Sequence, residues 1–148
     1  MTEDITGKSV PALYWSNMVN FMEKITEQHQ LAINALGKFH ALAFRQNLND
    51  IERDALLQRF QFTVAAVLQY AGDYLHVHQN FDVLSPKRVI RACSEKGILT
   101  TEEAAAALKM VDDWNAIAHA DTEEFLESLL LRLPLYDSVM HSWLEKIK

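Results

Sequence analysis

In NDIERDALLQRFQFTVAAVLQYAGDYLHVH, residues 49–78, the apolar residues Ile51, Ala55, Phe60, Val64, Val67, Ala71 and Leu75 follow one another at spacings close to the helical repeat. Such spacing puts them on one side of an α-helix, whereas a half-buried strand would alternate with period two. Asn49 stands where an N-cap would, with Glu52 at the third helical position; the pair makes a capping box that satisfies two backbone donors reciprocally. A long central helix ending near His78 is therefore predicted.

The same period continues outward in both directions. Upstream, Met18, Met22, Ile25, Ala32, Leu36, Phe39 and Ala43 give either one helix from about residue 12 to 46 or two helices broken near His29. Downstream, QNFDVLSPKR is a loop that closes with Ser85 as N-cap and Pro86 at the first helical position, where its missing N–H costs nothing. The short helix that follows stops at Gly97, a residue free to take the left-handed conformation. Thr100 with Glu103 forms a second capping box and Asp121 with Glu124 a third, opening the last two helices; Pro134 is expected to kink or split the final one. The predicted class is all-α, an antiparallel bundle of five to six helices with sequential helices as neighbours.

Composition agrees. A chain of 148 residues with 49% apolar and 23% charged residues, four glycines and three prolines suits one packed, helical domain. Its net charge of −6 offers no general attraction to nucleic acid or anionic lipid. The single cysteine, Cys93, excludes an internal disulfide framework and fits a reducing compartment. No apolar run approaches the ~20 residues that span a bilayer, and the N-terminus lacks a signal-peptide pattern, so a cytoplasmic location is expected, with no membrane partner.

The segment VDDWNAIAHADTEEF, residues 111–125, holds the candidate chemistry. On a helix, Asp112, Asn115 and His119 share a face, while Ala107, Met110, Trp114 and Ile117 form a separate apolar stripe. The polar line suits contact with a phosphate or base, and equally suits a solvated helix face. Arg59, beside Phe60 in the central helix, requires either an ion-pair partner or an exposed cleft facing an anion, because an unpaired buried guanidinium is costly. His76 and His78 point to different faces and lack the paired Glu-x-x-His ligands of a di-iron bundle. His29 and His40 lie near the apolar seam, and His141 is read as having no carboxylate or cysteine at ligand spacing; all three are expected to be structural. Cys93 is expected to be a buried, inert thiol. No metal site and no cofactor are expected, and phosphate-loop, nucleophile-elbow and zinc-protease motifs are absent.

Three blocks together resemble the HEPN superfamily, and within it the nucleotidyltransferase substrate-binding proteins that accompany a separate minimal nucleotidyltransferase. IERDALLQRFQFT is similar to the family's central helix through Gln58, Arg59, Phe60, Phe62 and Thr63, with Gln61 in place of an acidic residue. SPKRVIRACSEKGIL matches the next helix through Ser85, Pro86, Arg91 and Gly97. DDWNAIAHAD falls on an Arg-Asn-x-x-x-His-x-Tyr segment through Asn115 and His119. The resemblance divides the chain into an N-terminal helical extension, residues 1–28, and a HEPN-like bundle, residues 29–148, and it implies a homodimer.

It also implies a function, and the departures modify it. In family members that cleave RNA without metal, the histidine exchanges protons and the arginine stabilises phosphate charge. Here Trp114 stands at the arginine position and Asp121 at the tyrosine position. An indole cannot make a bidentate phosphate contact, and losing such a donor costs ~3 kcal/mol of barrier. The expected protein is a non-catalytic nucleotide- or substrate-binding subunit of a minimal nucleotidyltransferase, in a two-component, toxin–antitoxin-like system, binding through Asn115, His119, Arg59 and Asp112. Two alternatives stay open: a metal-independent ribonuclease toxin in which His119 and Asn115 act, with Arg53, Arg59 or Arg91 replacing the lost guanidinium, and a purely structural helical dimer joined through Trp15, Met18, Phe21 and Met22.

Overall fold

The computed structural model describes residues 2–3, 9–10, 12–79, 85–119 and 122–148, with side chains from residue 16 onward except 17. Among the described residues five helices follow one another: α1 (Ala12–Ala43), α2 (Asp50–Gln79), α3 (Pro86–Glu95), α4 (Thr101–Ile117) and α5 (Glu123–Lys146). Ahead of α1, which begins where the spacing predicts, lie two short strands, β1 (Thr2–Glu3) and β2 (Ser9–Val10). They pair antiparallel, with Thr2 opposite Val10 and Glu3 opposite Ser9.

The local signals explain most of the helix boundaries. Asn49 Oδ1 accepts from the Glu52 N–H at 2.8 Å, and Glu52 Oε1 accepts from the Asn49 N–H at 3.1 Å. Thr100 and Glu103 make the same reciprocal pair at the start of α4. Ser85 caps α3 with Pro86 in its first turn, and Gly97 sits beyond its end at φ +76°, a conformation that an L side chain resists. Of the two possibilities upstream, α1 is a single helix that passes His29 without a break.

Two boundaries differ from expectation. The cap of α5 is Thr122, whose hydroxyl accepts from the Phe125 N–H at 3.3 Å; Asp121, expected in that role, lies outside the described residues. Helix α5 also continues through Pro134 without splitting. Leu129 and Leu133 before the proline and Tyr136, Val139 and Met140 after it are all buried. Packing on both sides thus outweighs the ~3 kcal/mol that an interior proline costs.

Helix α2 is central and buries residues around most of its circumference. It packs on α1 and α3 and touches α4 and α5, while α5 returns to α1 and closes the bundle. Phe60 lies at the middle of the core, 5.9 Å from Phe39 and stacked 6.0 Å from Tyr136, ring centre to ring centre. Thr63 donates its hydroxyl to the Ala35 carbonyl at 3.1 Å, which lets a polar side chain sit fully buried between α1 and α2. Ile51, placed on the apolar face by its spacing, is 81% exposed, because the first turn of α2 projects beyond the core.

Candidate functional site

Helix α4 divides as its spacing implies, but the polar line is shorter than expected. Asp112 and Asn115 are exposed on one side of the helix, and Asp112 pairs with Lys87 of α3 at 2.7 Å. The helix ends at Ile117, so His119 leaves that line and occupies the following turn, where its N–H donates to the Ala116 carbonyl at 3.0 Å. Its side chain is exposed.

Trp114 faces inward. Its indole N–H donates to the Gln61 carbonyl of α2 at 3.1 Å, and its ring packs against the core. The residue at the expected arginine position is therefore a structural bridge between α4 and α2.

The carboxylate with the strongest environment is Asp113, which the sequence reading passed over for its neighbour Asp112. Asp113 is 2% exposed. Arg132 of α5 grips both its oxygens, Nε to Oδ2 at 2.7 Å and Nη2 to Oδ1 at 2.9 Å, and Tyr136 donates its hydroxyl to Oδ2 at 2.5 Å. Burial pushes the Asp113 carboxyl up, but the hydrogen bonds from Arg132 and Tyr136 and the charges of Arg132 and Lys109 outweigh it and hold the group below the usual carboxylate range. The Tyr136 phenol is driven up by burial and by donating to that carboxylate. The available signal was position: Asp113 follows Met110 by three residues, on the core-facing side.

Arg59 resolves its two alternatives toward a groove. Its Nη1 donates to the Lys38 carbonyl of α1 at 2.7 Å. It lines a cavity of about 420 Å³ between α1 and α2 with Asn34, Lys38, Gln58 and the half-exposed Phe62. Arg59 and Gln61 are two residues apart, about 200° around α2, so Arg59 faces α1 while Gln61 meets Trp114. The structure thus groups Asp112, Asn115 and the His119 turn at one end of α4 and sets Arg59 in a separate groove. Arg53, another candidate substitute for the missing guanidinium, pairs with Glu123 at 2.6 Å, and Arg91 is exposed on α3.

Cys93 is fully buried, and burial raises its thiol to about 11. It is no nucleophile at neutral pH. His141, in contrast, was misjudged. Asp137 precedes it by one helical turn, and His141 Nε2 lies 3.5 Å from Asp137 Oδ1. His40 of α1 reaches the other oxygen, Nδ1 to Oδ2 at 2.9 Å. The i, i+4 carboxylate was visible in the sequence; the approach of His40, 97 positions away, was not.

Among the described residues, no helix is long and apolar enough to cross a membrane. Comparison with known proteins places this geometry. A crystal structure of a Thermus thermophilus protein superposes with a TM-score of 0.77 at 37% identity, covering 79% of this chain and 98% of that one. The mutant toxin–antitoxin MntA-HpeT matches at TM-score 0.70 and 13% identity, over 83% of this chain and 95% of that one. A tri-AMPylated Shewanella oneidensis HEPN toxin, in complex with MNT antitoxin, matches at TM-score 0.67 and 13% identity over 83% and 95%. The last two likenesses establish the shared helical fold. No curated protein matches the chain in sequence. The family model described as nucleotidyltransferase substrate binding protein like matches residues 23–148, and the chain belongs to that family.

Proposed function

We propose that the protein is a non-catalytic binding subunit that pairs with a minimal nucleotidyltransferase in a two-component, toxin–antitoxin-like system. The observation that carries this reading is Trp114. Its indole fills the position where a ribonuclease of the superfamily resemblance would hold its guanidinium, and its one donor is spent on the Gln61 carbonyl. Arg132 is committed to Asp113, Arg53 to Glu123 and Lys87 to Asp112, whereas Arg91 is exposed on α3. In this reading Asn115 and His119 lack the guanidinium that would make them catalytic.

Two surfaces share the work in this proposal. Asn115 and His119, with Asp112 beside them, form the face presented to the partner. The Arg59 groove takes the nucleotide: its volume falls in the range of small-molecule sites, Arg59 and Lys38 suit phosphate, and Phe62 offers a ring on which a base can lie. With the partner co-purified, Asn115→Ala with His119→Ala is expected to weaken the complex by about tenfold or more, and Arg59→Ala to weaken ATP binding to a similar degree. If the triple variant binds both the partner and ATP as the parent does, the site assignment fails.

A homodimer is part of the same proposal. Met18, Val19 and Met22 are 37%, 51% and 44% exposed along one side of the first half of α1, an apolar strip that a second copy would cover. Phe21, expected to join them, turns inward to meet His76 edge-on at 5.6 Å, and the Trp15 side chain lies outside the described residues. Replacing Met18 and Met22 by glutamate is expected to halve the mass measured by light scattering; an unchanged mass would remove this strip from the dimer.

A further inference from the structure

Helices α1 and α5 meet at three side chains that carry metal-ligand chemistry. Among the described residues, His40, Asp137 and His141 are a group whose donor atoms all lie within 4.8 Å of one another. The carboxylate is at the centre: His40 Nδ1 is 2.9 Å from Oδ2 and His141 Nε2 is 3.5 Å from Oδ1. Ligands held 2.0–2.1 Å from one tetrahedral ion are about 3.3 Å apart, and each imidazole nitrogen lies within about 0.4 Å of that distance from one of the two carboxylate oxygens. The two imidazoles stand nearly perpendicular, 84° between planes with centres 5.1 Å apart, so neither ring blocks the other's nitrogen by stacking.

Hydrogen bonding alone leaves this cluster incomplete. Asp137 is 2% exposed, and its Oδ1 accepts no hydrogen bond among the described residues. His40 serves only Oδ2, and the 3.5 Å from His141 is too long to count. A buried carboxylate oxygen without a donor is an unusual thing to retain, and a cation held against it would satisfy it. Both imidazoles are about half exposed, which gives an ion a route from solvent and leaves positions for water.

We propose that His40, Asp137 and His141 bind a divalent first-row transition metal of the zinc class and so tie α1 to α5. Two imidazole nitrogens and one carboxylate form a donor set suited to Zn²⁺, Co²⁺ or Ni²⁺ and poorly suited to Mg²⁺ or Ca²⁺, which favour oxygen. A neutral imidazole carries a single ring proton, so His40 ligates through Nδ1 as the tautomer that holds that proton on Nε2. The inference stands apart from the nucleotidyltransferase reading, because it uses neither Trp114 nor the Arg59 groove.

The test uses tag-free full-length protein stripped with chelator and then titrated with Zn²⁺ by calorimetry and with Co²⁺ by visible absorption. One ion per chain is expected, together with a rise in melting temperature on adding Zn²⁺. His40→Ala and His141→Ala, both at half-exposed positions that spare the fold, are each expected to weaken binding by at least about 100-fold. Asp137→Asn should do the same, but the two histidine variants decide the matter, since a buried substitution can disturb folding. The proposal is overturned if neither metal shows saturable binding, or if binding persists unchanged in both histidine variants.

Discussion

Asp113→Ala is expected to destabilise the protein by about 3–5 kcal/mol, the usual cost of removing one member of a buried, hydrogen-bonded charge pair. At roughly 2–4 °C per kcal/mol for a chain of this size, the melting temperature should fall by about 6–20 °C. The reason is what remains: Arg132, gripping Asp113 by two hydrogen bonds, would keep its charge near the α4–α5 seam with no carboxylate to meet it, and the buried Tyr136 hydroxyl would lose its acceptor. Tyr136→Phe, which removes one neutral donor and leaves the ion pair, should cost only about 1–2 kcal/mol. Urea melts of the three proteins at neutral pH check the order. Equal losses from the two variants would mean that the Tyr136 hydroxyl bond to Asp113, and not the Arg132 ion pair, holds the seam.

The same group has a signed pH dependence. Because the folded-state pKa of Asp113 is depressed, its stabilising contribution is present above the unfolded carboxylate value of about 3.9 and is lost as pH falls through the lower folded value. The stability gap between the parent and Asp113→Asn should therefore be full at pH 7 and narrow as the pH drops below 4.

The contrast between Asp112 and Asp113 shows where sequence reading stops. Helix starts at Asn49, Ser85 and Thr100 were legible because a cap is a contract between residues three apart, and nothing distant enters it. The course of α5 through Pro134 was harder, since it depends on leucines and aromatics buried against other helices. Asp113 lay on the inward side of α4, but only the arrival of Arg132 and Tyr136 from α5 shows that a charge can be kept there. The His40–Asp137 contact joins positions 97 apart, for which local spacing holds no information. Trp114 is the intermediate case: its apolar stripe predicted burial, and the structure adds the acceptor at Gln61 that commits its N–H.

That commitment leads to the prediction closest to function. Incubated with single-stranded RNA in chelator, the protein is expected to cleave no faster than its His119→Ala variant. Acid–base help from an imidazole is worth little when the developing phosphate charge is unmet, and one missing donor of that kind removes about a hundredfold or more in rate. Trp114→Arg asks whether charge alone is lacking. Arginine has the length to leave the α4–α2 interface while its stem covers the apolar surface beneath, and a guanidinium there would stand one residue from Asn115 and five from His119. If these residues are the remnant of a catalytic block, cleavage should rise by about a hundredfold over the parent, and adding His119→Ala should abolish the gain. A melting curve accompanies the assay, because the variant also gives up the Gln61 contact. Parent cleavage that disappears in His119→Ala would end the non-catalytic proposal outright. A folded Trp114→Arg protein that remains inert would instead show that the block around Asn115 and His119 lacks more than one charge for chemistry.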